Sequence, residues 1–211
     1  MEDLNRPATE DMIVGRLLTF SDGVFAFALT LLVLELQPPH IASEADFWPA
    51  MIALAPKLIV FVSTFALIFV FWAAHMSTMR RLRAFDWPVL WVNGIFLLTI
   101  AVMPFASAML GDTEVFALSW RVYCAELVAA SLAQSLLVLV VMRDGGRLVG
   151  GATMRERLWR LTRSLSPGLA FAAGLAMSVM GEIGLSTLCW ILIPVLMSIS
   201  GLLFGPRKQK T

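Results

Sequence analysis

Six long apolar runs, separated by short charged segments, constrain the fold of this chain more than any other feature. The runs cover residues 17–36, 50–76, 89–110, 118–142, 165–180 and 183–204. A transmembrane helix needs about 20 predominantly apolar residues, and it satisfies its own backbone hydrogen bonds within lipid. The strands of a membrane barrel would alternate polar and apolar residues over about ten positions, which these runs do not. We therefore expect an all-α polytopic membrane protein, in which residues 1–211 form a single domain of six transmembrane helices.

The composition of the chain excludes several broad classes of protein. Hydrophobic residues make up 59% of the 211 positions and charged residues 15%, with a mean hydropathy of +0.81. Soluble globular domains are roughly 45–50% apolar and about 25% charged. A soluble enzyme, a secreted disulfide scaffold, a disordered chain and a nucleic-acid-binding module are therefore excluded. Cys124 and Cys189 lie inside apolar runs without CxxC spacing, which is typical of small packing residues.

The distribution of basic residues predicts the orientation of the chain in the membrane. All but two of the 16 Lys and Arg residues lie before the first run or after the second, fourth or sixth, and the exceptions are Lys57 and Arg121. The other connections carry acidic residues, among them Glu44, Asp46 and Glu182. Because cytoplasmic connections are enriched in Lys and Arg, this pattern predicts six spans with the N- and C-termini both cytoplasmic.

The basic connection before the fifth run has a periodicity of its own. Over residues 154–165, apolar residues recur at helical spacing and arginines occupy much of the remaining surface. The apolar residues are Met154, Leu158, Leu161 and Leu165, and the arginines are Arg155, Arg157, Arg160 and Arg163. This pattern fits a basic amphipathic helix lying in the membrane interface, and equally a cytoplasmic extension of the fifth helix. Either arrangement favours contact with anionic lipid head groups.

Polar and aromatic side chains that interrupt the runs are candidates for function, because ionisable groups inside a membrane are energetically expensive. The candidates are Arg16, Phe20, Ser21 and Asp22 on the first helix, Trp72 and His75 on the second, and Asn93 on the third. All lie toward the predicted cytoplasmic ends of their helices. At a shared depth the side chains of Arg16, Ser21, Asp22, His75 and Asn93 can hydrogen-bond to one another and hold three helices together as an interhelical polar network. The alternative is a proton relay or an ion-binding site.

The sequence lacks the patterns that enzymes and metal sites require. It contains no H-E-x-x-H, no G-x-S-x-G and no helix with two carboxylates at i and i+4. The glycines at positions 145, 146, 150 and 151 lack the strand-to-helix context of a phosphate-binding loop. His40 and His75 are the only histidines, which argues against a histidine-rich metal site. We therefore expect no catalytic residues, no resident metal ion and no cofactor.

One side of the first predicted helix is apolar along its length. The stripe consists of Phe20, Phe27, Leu31 and Leu34, with Thr30 at its border. On a wheel of 100° per residue, the last three apolar members fall within about 60° of one another. Ser21 and Asp22 point more than about 100° away from Phe27. If that polar pair faces the second and third helices, the stripe faces lipid, another helix or a symmetry axis.

The first helix also carries a recognisable motif. Residues 16–22 spell R-L-L-T-F-S-D, which resembles the R-x-x-x-F-S-D signature on the first helix of the transmembrane protein 175 family. The resemblance continues in F-W-A-A-H over residues 71–75, in W-V-N over residues 91–93 and in Pro104-Phe105. It covers residues up to about position 110 closely, whereas the later helices match in number and charge pattern only.

The resemblance implies a function and an assembly, because members of that family are potassium-permeable channels. Single-repeat prokaryotic members form homotetramers in the plasma membrane, and the first helix of each chain lines a central pore. The pore positions carried over to this chain are Phe27, Thr30, Leu31 and Leu34, which would form an apolar constriction, or hydrophobic gate. The network that holds the helix in place would include Arg16, Ser21, Asp22, His75 and Asn93. The implied partners are other copies of the chain, the lipid bilayer, and permeating K+ and other monovalent cations.

Phe27 departs from the family pattern, which usually has a branched aliphatic residue at this position. Four phenylalanines around an axis are bulkier than four leucines, and they can seal a pore by dewetting or rotate aside to open it. No T-V-G-Y-G carbonyl filter is present, so any preference for potassium has another origin. Two other functions are compatible with the residues: a proton-coupled transporter that uses Asp22 and His75, and a scaffold that binds lipid through residues 154–165.

Overall fold

The chain folds into a bundle of long helices. The computed structural model describes residues 8–84, 86–111 and 116–205. Its helices are α1 (Ala8–Leu31), α2 (Phe47–Met79), α3 (Trp87–Ala108), α4 (Phe116–Val141), α5 (Met154–Val179), a short α6 (Ile183–Ser186) and α7 (Cys189–Phe204). Short 3-10 turns continue α1 over Leu32–Glu35 and α3 over Met109–Gly111. No strand occurs in the described ranges, so the predicted all-α class is confirmed.

Five helical segments are long and apolar enough to cross a bilayer. They are Met12–Glu35, Glu44–Met79, Trp87–Ala108, Phe116–Val141 and Ile183–Phe204, with mean hydropathies between 2.0 and 2.3. Each segment exceeds the length of about 20 residues that a span requires. The chain is therefore a multi-pass membrane protein, as predicted. The terminal residues 1–7 and 206–211 lie outside the described part of the chain, and their cytoplasmic location stays a prediction.

The fifth predicted span is the C-terminal part of a longer helix. Helix α5 begins at Met154, where Thr153 caps its N-terminus by accepting a hydrogen bond from the backbone N–H of Glu156 at 3.2 Å. The basic residues 154–165 are therefore continuous with the apolar run that follows. Of the two predicted arrangements, the structure has the extension of the fifth helix and not a separate interfacial helix. Arginines and small polar residues lower the hydropathy of α5, which sets it apart from the five segments above.

The apolar run of the last predicted span predicts one continuous helix. In the structure the helix breaks between α6 and α7. The backbone changes to the tighter 3-10 spacing at this point, where the Leu188 N–H donates to the Leu185 carbonyl at 3.0 Å. Just before the break, Ser186 Oγ donates to the Ile183 carbonyl at 2.6 Å, and Thr187 Oγ1 donates to the Gly184 carbonyl at 2.8 Å. Local side-chain bonds of this kind compete with regular helix geometry, and hydropathy does not register them.

Helix α4 is central in the bundle. It packs along α3 and α5, while α5 also contacts α7 and α1 packs mainly on α3. Small residues four positions apart on α5, at Ala170, Gly174 and Ser178, are all buried. A Cβ at Gly174 would lie 3.0 Å from Cys189 Sγ of α7. The two helices therefore approach closely, which is how helices associate in lipid without a hydrophobic driving force.

A serine of α4 is inserted into the backbone of α5. Pro167 lacks a backbone N–H and cannot donate to the carbonyl one turn earlier. At the next residue, the Gly168 N–H donates to Ser131 Oγ at 2.9 Å, and Ser131 Oγ donates to the Ser164 carbonyl at 2.6 Å. The hydroxyl bridges two backbone groups that an ideal helix joins directly. It thereby satisfies groups that would be energetically expensive to leave unpaired in lipid.

We expect Gly168→Ala to destabilise the folded protein by about 1–3 kcal/mol, as overpacking of a close contact does. An added Cβ would lie 2.5 Å from Ser131 Oγ and 2.7 Å from Ser131 Cβ. The melting temperature of the purified protein in detergent measures the effect. Gly94→Ala on α3 is the matched control, because nothing lies within 4 Å of a Cβ at Gly94. Equal melting temperatures for the two variants would contradict this account of the contact between α4 and α5.

Ion pairs join the connections at the arginine-rich end of the bundle. Glu156, at the start of α5, pairs with Arg81 after α2 and with Arg160 Nη2 at 3.2 Å. Asp86, just before α3, pairs with Arg143 just after α4. The basic connections that follow α2 and α4 therefore lie together at one end of the helices.

Candidate functional site

Helix α1 has one buried face and one exposed face. The buried positions are Val14, Leu17, Ser21, Phe25, Ala28 and Leu32. Their spacing of three or four residues is that of one side of an α-helix. This side packs on α3 and, less extensively, on α2, so the opposite side of α1 faces away from the bundle.

The exposed side of α1 carries the apolar stripe predicted from the helical wheel. Phe20, Phe27 and Leu34 are seven residues apart and are 63%, 65% and 68% exposed. Thr30 is exposed beside them, and its Oγ1 donates to the Phe27 carbonyl at 2.8 Å. Leu31 is half-buried at the edge of the stripe. These five residues, hereafter the α1 stripe, form a surface that the other helices of the same chain leave uncovered.

Behind the α1 stripe, three side chains from three helices form a buried series of hydrogen bonds. His75 Nε2 of α2 donates to Asn93 Oδ1 of α3 at 2.7 Å, since an amide oxygen can only accept. Asn93 Nδ2 donates to Ser21 Oγ of α1 at 3.0 Å, and Ser21 Oγ donates to the Leu17 carbonyl at 2.9 Å. All three side chains are at most 1% exposed. They are hereafter the Ser21–Asn93–His75 clasp.

Aromatic rings enclose the histidine of the clasp. The Phe96 ring stacks on the His75 imidazole at a centroid distance of 5.5 Å, and Phe25 of α1 lies 5.6 Å away. In such an apolar environment a hydrogen bond is electrostatically stronger, and an unpaired polar group is costly. The clasp therefore fixes the position of α1 relative to α2 and α3.

The other predicted members of the polar network make no hydrogen bond to the clasp among the described residues. Asp22 is exposed, and its Oδ1 accepts a hydrogen bond from Trp72 Nε1 at 2.9 Å. Arg16 and Phe20 are exposed, and Arg16 makes no hydrogen bond or ion pair with another described residue. Among the described residues, no hydrogen bond joins Asp22 to His75. The predicted set is thus divided into the clasp, the Asp22–Trp72 pair and two exposed residues.

Polar groups on α4 were not among the predicted site residues. Glu126 is half-buried there, and within the described part of the chain its Oε1 has no hydrogen-bond partner. Tyr123 lies nearby in sequence, and its hydroxyl shares a hydrogen bond of 2.9 Å with Thr64 of α2. A single carboxylate in the middle of an apolar run was the available signal for Glu126. The hydroxyl pair gave no signal, because Thr and Tyr are ordinary residues in membrane helices.

The α1 stripe and its surroundings present few polar groups. The described residues contain no group of three or more His, Cys, Asp or Glu side chains that could hold a metal ion. The α1 stripe is apolar except for one hydroxyl, at Thr30. Rings of apolar side chains around an axis can gate ion conduction by dewetting.

Comparison with known proteins finds relatives over the part of the chain that contains the α1 stripe and the clasp. A family model described as the endosomal/lysosomal potassium channel TMEM175 matches residues 16–104. A potassium channel of Chamaesiphon minutus is 35% identical over 107 residues, which are 50% of this chain and 53% of that protein. A potassium channel of Streptomyces collinus is 29% identical over 171 residues, which are 75% of this chain and 83% of that protein.

A solved structure extends the similarity to the later helices. It is the crystal structure of a lysosomal potassium-selective channel TMEM175 homolog from Chamaesiphon minutus, and it matches with a TM-score of 0.75 at 26% identity. The match covers 90% of this chain and 98% of that one. The shared fold therefore extends into the helices that lie beyond the residues matched by the family model.

Proposed function

This chain belongs to the TMEM175 family, and on that premise we propose that it forms a potassium-permeable channel in the plasma membrane of a prokaryote. The observation that carries the proposal is the α1 stripe. It lies on a membrane-spanning helix, it is exposed in the single chain, and it falls within the residues that the family model matches. An ion path between copies of the chain explains why large apolar side chains and one hydroxyl share this surface.

The proposed assembly is a homotetramer of six-span chains. The apolar part of α5 packs against both α4 and α7, and this supports its assignment as a span in addition to the five long apolar segments. If the arginine-rich connections are cytoplasmic, six spans place both ends of the chain on the cytoplasmic side. Gly23 and Ala26 are exposed on α1 beside the stripe. Small residues allow helices to approach closely in lipid, so four α1 helices can surround a narrow axis.

The proposed constriction consists of rings contributed by α1. Phe27 and Leu34 form apolar rings that exclude water from the axis in the closed channel, with Leu31 supporting them from the side. Between them, Thr30 donates its proton to the Phe27 carbonyl. Its oxygen lone pairs therefore remain available to a hydrated cation. K+ releases its hydration water more readily than Na+, so a narrow, largely apolar path favours K+.

The clasp has a supporting part in this proposal. It holds α1 against α2 and α3 at one depth, and the rings depend on the position of α1. A proton-coupled transporter would need proton exchange between Asp22 and His75. These two residues have different partners, Trp72 and Asn93 respectively, so the geometry favours the channel.

The test is a reversal potential measured on purified protein in liposomes, with K+ on one side and Na+ on the other. We expect a current whose reversal potential lies nearer the equilibrium potential of K+ than that of Na+. Protein-free liposomes are the control for leak. Transport that appears only when a proton gradient is imposed would support the transporter instead. The absence of any cation flux would contradict both.

A further inference from the structure

Beyond the conduction pathway, we propose that a groove between α5 and α7 binds the phosphate of an anionic membrane phospholipid. The groove is lined by Trp159 and Arg163 of α5, by Pro194, Met197, Ser198 and Gly201 of α7, and by Gly205. Its volume is about 430 Å³, which is within the range of small-molecule sites. It is formed by helices other than those that carry the α1 stripe and the clasp.

Arg163 is the cation of this groove and is available to a ligand. Its guanidinium lies 5.6 Å from the centre of the Trp159 ring, and it makes no hydrogen bond or ion pair with another described residue. Glu156, the acidic residue of this segment, is already paired with Arg81 and Arg160. A guanidinium with free N–H donors is well suited to bind phosphate oxygens in a bidentate manner.

The surroundings of Arg163 are also positively charged. Residues 154–163 contain four arginines and one glutamate. Arg155 Nε donates to the Phe204 carbonyl at 3.3 Å, which joins the extension of α5 to the C-terminal end of α7. Basic pockets between membrane helices on the cytoplasmic side attract anionic head groups. The charge of the groove is therefore complementary to an anionic lipid.

The rest of the groove suits an acyl chain, which is why the proposed ligand is a lipid and not soluble phosphate. Met197 and Pro194 provide apolar contacts, and neighbouring residues of α7, including Val195 and Ile199, are exposed on the same membrane-spanning helix. Trp159 has the amphipathic character of residues at the membrane interface. A hydrogen bond of 2.6 Å between Thr162 and Ser200 joins the two helices beside the groove, so the groove exists before a ligand binds.

The experiment measures lipid that remains bound to the purified assembly. The full-length protein is reconstituted in vesicles of phosphatidylethanolamine and phosphatidylglycerol and then extracted in mild detergent, and bound lipids are counted by native mass spectrometry. We expect the wild type to retain phosphatidylglycerol preferentially, and Arg163→Ala to reduce that preference about fivefold, the effect of one basic residue at a membrane surface. Arg157→Ala is the matched control, because Arg157 lies in the same segment but does not line the groove, and it should retain lipid as the wild type does.

A second variant and two competing occupants complete the test. Gly201→Trp fills the groove without changing its charge and should also reduce retention of phosphatidylglycerol. Undiminished retention by either variant would overturn the proposal. Displacement of the lipid by excess inorganic phosphate would assign the site to the free anion. Disulfide formation between copies of a Ser198→Cys variant would assign the groove to a contact between subunits. Either result would overturn the lipid as the occupant. Retention is measured without ion flux, so this outcome is independent of the proposed channel activity.

Discussion

Phe27→Ala is expected to raise the K+ flux of the reconstituted channel by about tenfold or more. Truncation to alanine widens the proposed ring and makes it less apolar, so water and ions enter it more readily. A tenfold increase corresponds to a barrier lowered by about 1.4 kcal/mol. Because Phe27 is 65% exposed in the single chain, its removal leaves no cavity inside the bundle. The fold should therefore tolerate the change, and flux per folded protein is a fair measure.

Phe105→Ala is the matched control for this prediction. Phe105 lies on α3, is also 65% exposed, and is not part of the α1 stripe. Its truncation should leave the flux of K+ unchanged, as measured by efflux from loaded liposomes. Leu31→Ala and Leu34→Ala extend the test to the remaining apolar positions. If all three α1 variants preserve both the rate and the reversal potential of the wild type, α1 does not line the ion path.

The helices of this protein could be predicted from sequence because lipid leaves few alternatives. A span must be helical and apolar over about 20 residues, so hydropathy alone locates both ends of α2, α3 and α4 to within three residues. The choice between the two arrangements of residues 154–165 could not be made from the sequence, because both place the same apolar stripe on one side of a helix. The break between α6 and α7 depends on backbone geometry and on hydroxyl groups such as that of Thr187, to which hydropathy is insensitive.

Helical periodicity predicts the apolar surface of the candidate site but not its hydrogen-bond partners. Phe27 and Leu34 are two turns apart, so a wheel places them on one surface. The helical wheel does not show which polar side chains of the three helices hydrogen-bond to one another. Ser21 and Asp22 are adjacent in sequence and point about 100° apart, so only Ser21 can reach the junction of three helices. Asn93 connects Ser21 to His75 across that junction, which is a tertiary contact that no local pattern specifies.

Asn93→Leu is expected to reduce the free energy of unfolding by about 2–4 kcal/mol. Leucine has a similar volume but cannot accept from His75 or donate to Ser21. His75 Nε2 loses its partner, whereas Ser21 Oγ loses one donor and keeps its own bond to the Leu17 carbonyl. A buried polar group left without a partner costs about 1–3 kcal/mol, and both side chains are at most 1% exposed. Thermal melting of the assembly in detergent, followed by size-exclusion chromatography, measures the loss.

A double-mutant cycle separates the lost contact from the change in packing. Removal of both partners of a buried hydrogen bond is less harmful than removal of one, and a phenylalanine at position 75 would lie among the rings of Phe25 and Phe96. His75→Phe should therefore recover part of the stability lost in Asn93→Leu, with a coupling of about 1–3 kcal/mol. The reversal potential for K+ against Na+ should remain near that of the wild type, since the clasp positions α1 and does not touch the ion. An Asn93→Leu variant that melts at the wild-type temperature but conducts no ions would contradict this account and assign the clasp to the conduction pathway itself.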